Sequence, residues 1–124
     1  MQPLTNQNKN TSLLTQVKPS TQTVGSSNSI TINADITSIF TVTALAVGAT
    51  FLAPSGGNIV NGQKLIVRIL DNGISQTISW AAGANGFSST AGATLPAATT
   101  PGVEKYIGLI YNSVTQTWDC VAVS

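Results

Sequence analysis

The sequence predicts an all-β protein, a β-sandwich or jelly roll of about 7–8 short antiparallel strands behind an extended N-terminal arm. Three observations predict it. From Ser29 onward, Ile, Val, Leu, Phe and Trp alternate with Thr, Ser and Gln at the two-residue period of a strand. Gly, Pro, Asn and Asp cut this pattern into short runs. No stretch holds the 3.6-residue period that an amphipathic helix needs.

Residues 1–28 stand apart from the rest. Apolar side chains are sparse there, at Met1, Leu4, Leu13, Leu14, Val17 and Val24, set among amides and hydroxyls. A faint echo links Leu4-Thr5 and Lys9-Asn10-Thr11-Ser12 to Leu14-Thr15 and Lys18-Pro19-Ser20-Thr21. Ordering about twenty such residues costs roughly 20–40 kcal/mol of backbone entropy. Burying about five aliphatic side chains returns roughly 8–15 kcal/mol. The segment is therefore either a disordered tail or an arm that orders by adding to a neighbour's sheet. In the second case Leu4, Lys9, Leu13, Leu14, Val17 and Lys18 are the attachment residues.

The domain follows over residues 29–124. SITIN places Ile30 and Ile32 on one face, ADITS turns, and SIFTVTAL sets Phe40, Val42 and Ala44 opposite Ile39, Thr41 and Thr43. A short strand around Thr50–Leu52 ends at Pro54 and Gly56-Gly57. QKLIVRILDNGISQTISW reads as a hairpin, because Asn72-Gly73 is the pair that a type I′ turn favours at its two positive-φ positions. Its first strand sets Leu65, Val67 and Ile69 against Ile66, Arg68 and Leu70. Arg68 is anomalous there, suited to a rim or an intersubunit contact. Residues 81–102, rich in Ala and Gly, predict a long loop anchored by Phe87 and Leu95 and pinned on the sheets or on a neighbouring chain. A second hairpin, VEKYIGLIYNSVTQTWDCVAVS, closes the chain around Asn112–Thr115.

Charge is scarce: five Lys and Arg against four Asp and Glu, with no His. A formal net charge of +1 provides no cluster of cations for nucleic acid or an anionic membrane. Solubility rests instead on 17 Thr, 13 Ser, 10 Asn and 7 Gln. Such a surface gives little electrostatic protection against association, which favours an assembly and hence a homo-oligomer. There is no basic-then-apolar leader and no 18-residue apolar run, so synthesis in the cytoplasm without a signal peptide, and no membrane insertion, are expected. Cys120, flanked by Val-Ala-Val, reads as a buried small hydrophobe.

The candidate chemistry is thin. Without His, one Cys and four scattered carboxylates make neither a zinc site nor a nucleophile triad. Asp71 and Asp35 fall in turns, Asp119 in a strand and Glu104 at a strand start, so a carboxylate pair across a sugar is not expected either. The reading is a protein that is not an enzyme and uses no cofactor. Trp80 and Trp118 lie on inward parities and suit the core, whereas Tyr106 and Tyr111 have opposite parities, so one of them faces out. Asn85 and Phe87 in the loop, with Tyr106, are the candidate surface for a glycan or a partner.

Several phrases taken together, Asn61-Gly62-Gln63-Lys64-Leu65-Ile66-Val67-Arg68-Ile69, Thr77-Ile78-Ser79-Trp80, the Ala/Gly stretch ending Leu95-Pro96, Tyr106-Ile107-Gly108-Leu109-Ile110-Tyr111-Asn112 and Trp118-Asp119-Cys120-Val121-Ala122, resemble a β-rich module of tailed-bacteriophage structural proteins. The resemblance covers roughly residues 30–124. It implies a virion protein of the tail-fibre, head-fibre or capsid-decoration kind, commonly a homotrimer. The polar N-terminal segment resembles the leaders that attach such modules to the particle. No coiled-coil heptads and no Gly-X-Y shaft accompany it, which turns the expectation toward a capsid-surface protein held by its arm. The alternative is a fibre tip that binds host glycans through the 81–102 loop.

Overall fold

A computed structural model describes residues 18–124. These residues form nine strands: β1 (Thr21–Val24), β2 (Ser29–Ile30), β3 (Ile39–Leu45), β4 (Ala49–Phe51), β5 (Lys64–Asp71), β6 (Ile78–Trp80), β7 (Phe87–Ser88), β8 (Lys105–Asn112) and β9 (Thr117–Val123). A six-stranded sheet has the order β1-β3-β5-β8-β9-β7, and a three-stranded sheet the order β2-β4-β6. The all-β expectation holds.

The pairing differs from the expected antiparallel pattern, since five of the seven strand pairs are parallel. Odd strands β1, β3 and β5 stack in the large sheet and even strands β2, β4 and β6 in the small one, so the first half of the domain winds as a short two-sheet coil. Level positions are Gln22, Phe40 and Val67 in one sheet and Ile30, Phe51 and Trp80 in the other. The hairpin β8–β9 then joins β5 antiparallel and widens the large sheet.

The Asn72-Gly73 turn shows why the chain coils. Of this pair Gly73 alone takes positive φ, at 95°, whereas a type I′ hairpin needs both residues there. The Asp71 carboxylate accepts the backbone N–H groups of Gly73 and Gly102, both at 2.9 Å, and the Thr99 hydroxyl at 2.6 Å. The chain is thereby steered out of its own sheet and into the other. Donation from Thr99 first, then from Gly102, holds the Asp71 carboxyl below its usual range against the opposing effect of burial, with Gly73 adding to the lowering.

One core lies between the sheets. It takes Phe40, Val42 and Leu45 from β3, Leu65, Val67 and Ile69 from β5, Ile107, Leu109 and Tyr111 from β8, and Trp118 and Cys120 from β9. Ile30, Ile32, Ala49, Phe51 and Ile78 face them from the other side. Phe51 joins the layers: its ring stacks on Trp80 at 4.6 Å and meets Phe40 edge-on at 6.4 Å. Trp118 is fully buried and Trp80 half-buried, its Nε1–H donating to the Pro96 carbonyl at 2.8 Å. Burial raises the Cys120 thiol above its ordinary range.

The 81–102 segment is pinned on its own domain. Phe87 pairs level with Trp118 on β9, the Thr90 hydroxyl donates to the Cys120 carbonyl at 2.7 Å, the Ala97 carbonyl accepts the Ile78 N–H of β6, and the Thr99 N–H donates to the Gln76 carbonyl just before β6, both at 2.9 Å. Gly86 lets this segment cross close to the chain behind it, because a Cβ there would lie 2.5 Å from the Ala81 carbonyl oxygen. The boundary of the arm also moves. Thr21–Val24, expected within the polar arm of residues 1–28, forms β1 at the edge of the large sheet.

Candidate interaction surface

Strand parity divides the large sheet into two faces. Leu65, Val67, Ile69, Ile107, Leu109, Tyr111, Trp118 and Cys120 point to the core, so Lys64, Ile66, Arg68, Tyr106, Gly108, Ile110, Asn112, Thr117 and Asp119 point outward. The registry orders these outward residues in rows across β5, β8 and β9. One row is Lys64, Ile110, Asp119; the next is Ile66, Gly108, Ala122. A third has Arg68 beside Tyr106, whose carbonyl accepts the Ser124 N–H at 3.0 Å. Ile39 extends the second row onto β3.

This face is apolar at its centre and exposed. Ile66 keeps 38% of its surface in water, Tyr106 43% and Val121 49%. Val121 stands out because of a bulge. The register shifts between Gly108 and Leu109, so Cys120 and Ala122 are both paired and Val121 is the extra residue between them. The two-residue alternation that carries Trp118 and Cys120 inward would carry Ala122 inward as well, and it breaks at the bulge: Cys120 is buried and Ala122 is exposed. Gly108 flattens the middle of the face. A methyl added to it would find the Ala122 Cβ as its nearest neighbour, at 3.6 Å.

Polar groups frame the apolar centre. The Arg68 Nε–H donates to Thr41 Oγ1 at 2.9 Å and its guanidinium lies 5.9 Å from the Tyr106 ring centroid, a stacked placement that settles the anomaly of a charged residue among aliphatics. Asp119 accepts the Thr117 hydroxyl at 2.7 Å and the Asn112 amide at 3.4 Å. At the β8–β9 turn the face opens into a groove of about 440 Å³ lined by Asn61, Thr90, Ile110, Asn112, Asp119 and Val121 among others. Asn61 holds the rim, its Oδ1 accepting the Ser113 N–H at 3.0 Å.

The three residues singled out in the sequence as a glycan or partner surface do not converge. Phe87 is buried, packed edge-on against Trp80 at 5.0 Å, and is a core residue rather than a surface one. Asn85, at φ 60°, accepts the Tyr111 hydroxyl at 2.7 Å and so caps one end of β8. Tyr106 lies near the other end, five residues or about 16 Å away along the strand. Of the attachment residues, Leu4, Lys9, Leu13, Leu14 and Val17 lie outside the described residues, and Lys18 is exposed just before β1.

Sequence parity alone does not single out the outward apolar patch of Ile39, Ile66, Ile110 and Val121. Its signal was present in LIVRIL and YIGLIY, where both parities are apolar. Such runs belong to strands covered on both faces, yet here only one face is covered among the described residues. Among those residues no group of three or more His, Cys, Asp or Glu gathers as metal ligands do, and no helix is long and apolar enough to cross a membrane.

Together these features define an all-β module with a half-exposed apolar sheet face and an edge strand, β1, that pairs on one side among the described residues. Comparison with protein-family models, curated proteins and solved structures finds no match to this chain.

Proposed function

We propose that this chain is a non-enzymatic structural protein of a virus particle, a capsid-decoration or head-surface protein held through its N-terminal arm. The observation that carries the reading is the outer face of the large sheet. There, β5 and β8 leave Ile66 and Tyr106 exposed and Ile110 half-buried in a sheet whose strand sequences suit cover on both sides. A face of this kind is suited to a neighbour, and a second copy in a homo-oligomer supplies one; the number of three copies gathered by their arms rests on the resemblance to bacteriophage modules. The finer label of sandwich or jelly roll belongs to the same reading: two layers, with the large one offered to neighbours.

The arm fits the same scheme. It enters the domain at β1, an edge strand whose one partner among the described residues is β3. Edge strands offer unpaired backbone groups, which makes this the place where an arm and its neighbours add hydrogen bonds.

The test is removal of residues 1–17, which leaves every described strand in place. The shortened chain is expected to melt as the full chain does and to lose co-sedimentation with the particles of its source. Equal co-sedimentation of the two chains would overturn attachment by the arm.

A second reading, a host-glycan-binding tip, draws on the groove, where Asn61, Asn112 and Asp119 surround an apolar floor of Ile110 and Val121. It predicts that the full chain binds host polysaccharide and that Asn112→Ala with Asp119→Ala removes this binding.

A further inference from the structure

We propose that the outer face of the large sheet is a self-complementary surface that pairs with the same face of a second copy about a two-fold axis parallel to β8. The proposal rests on the assembly reading above and deepens it by naming the surface and its symmetry.

The three rows supply the complementarity. A two-fold axis along β8 turns each row onto itself with its ends exchanged, so β5 of one copy lies over β9 of the other. In the first row Lys64 then faces Asp119 of the second copy, twice, with Ile110 over Ile110 on the axis. In the second row the bulky Ile66 faces the small Ala122, with Gly108 on the axis leaving room for both. In the third row Tyr106 meets Tyr106, and Arg68 faces Ser124. Opposite charges meet, large Ile66 meets small Ala122, and uncharged Ile110, Gly108 and Tyr106 occupy the axis.

The alternative axis fails on charge. A two-fold axis across the strands would lay β5 over β5 with its direction reversed, placing Lys64 against Arg68 and leaving Asp119 without a cation. Electrostatic complementarity therefore selects the axis parallel to β8. Such a contact joins copies in pairs, and it links trimers where arms gather three.

The area sets the strength. Three strands spaced by about 4.8 Å and three rows spaced by about 6.8 Å give roughly 300 Å² per copy, or about 600 Å² in all. This is below the standard size of specific interfaces, so the pairing is weak and concentration-dependent, and the charge pairs rather than the area select the partner.

The experiment uses the full chain and sedimentation velocity over a concentration series. Lys64→Glu and Asp119→Lys each turn both attractive pairs into repulsive ones, and each alone is expected to weaken self-association about tenfold or more. Mixing the two variants in equal amounts is expected to restore it. In a mixed pair the introduced carboxylate at position 64 faces the introduced ammonium at position 119, while the unchanged Lys64 of one copy faces the unchanged Asp119 of the other. Gly108→Val is a steric counterpart: there is room for a Cβ within one copy, while a branched side chain on the axis blocks the second. Single variants that associate like the parent, or a mixture that does not recover, would overturn the proposal. Because residues 1–17 are untouched in these variants, retained particle attachment with unchanged association would sink the pairing and leave the structural-protein reading standing.

Discussion

Replacing Phe51 by Ala tests the claim that one ring ties the two sheets together. Phe51 is fully buried in the middle strand of the small sheet, stacked on Trp80 and edge-on to Phe40. Truncating a buried Phe costs about 3–5 kcal/mol from lost transfer energy and the cavity left behind. The aromatic contacts contribute about 0.5–1.5 kcal/mol per pair within that total. A domain of this size has about 5–15 kcal/mol to lose, so the variant stays folded at low temperature with a much reduced margin. Urea unfolding followed by tryptophan fluorescence reads the effect. With a slope of about 1.5 kcal/mol per molar, the midpoint falls by roughly 2–3 M. A cycle with Phe51→Leu and Trp80→Leu isolates the stacked pair, with an expected coupling of about 0.5–1.5 kcal/mol. A Phe51→Ala cost under about 1.5 kcal/mol, or a coupling indistinguishable from zero, would refute the placement of Phe51 between the layers.

Three further outcomes follow from individual sites. Asp71 has a lowered carboxyl in the folded state, so its stabilising effect is complete above the unfolded carboxylate range near pH 4 and is lost as pH falls through the folded value. Thermal melts should show the parent losing more stability on acidification in that window than Asp71→Asn does, and parallel pH profiles would contradict the assignment. Gly86→Ala forces a methyl into the backbone at Ala81 and Ala82, and is expected to cost about 2 kcal/mol or more in the same urea assay, whereas Gly57→Ala, with open space around it, should cost well under about 1 kcal/mol. Cys120 is buried with its thiol raised, so at about pH 8 a thiol reagent should modify it only on unfolding; rapid labelling of the native chain would disprove its burial.

Much of the core was legible in the sequence because strand parity is a local property. Leu65, Val67 and Ile69, then Ile107, Leu109 and Tyr111, face inward as their alternation predicts. The inward placement of Trp118 and Cys120 was legible on the same basis. The closing hairpin was equally readable, since β8 and β9 are neighbours in sequence and pair antiparallel. The Asn72-Gly73 hairpin was misread because turn chemistry is local while its outcome is not. Thr99 and Gly102, far along the chain, supply two of the groups that hold Asp71 and send the strand into the other sheet.

The candidate surface was legible only in part for a related reason. The sequence showed that both parities of LIVRIL and YIGLIY are apolar, but not that one side would stay open. Nor did it show that a bulge at Val121 would turn Ala122 outward, or that Tyr106 and Asn85 would lie toward opposite ends of β8.

By itself, then, the sequence determined the all-β class, the inward faces of the long strands and the shortage of charge, all of which depend on residue type and two-residue periodicity. Tertiary structure decided the parallel coiling of β1 to β6, the burial of Phe87 and the rows that set Lys64, Ile110 and Asp119 side by side. Those depend on hydrogen bonds and packing between segments distant in the chain, which no local pattern encodes.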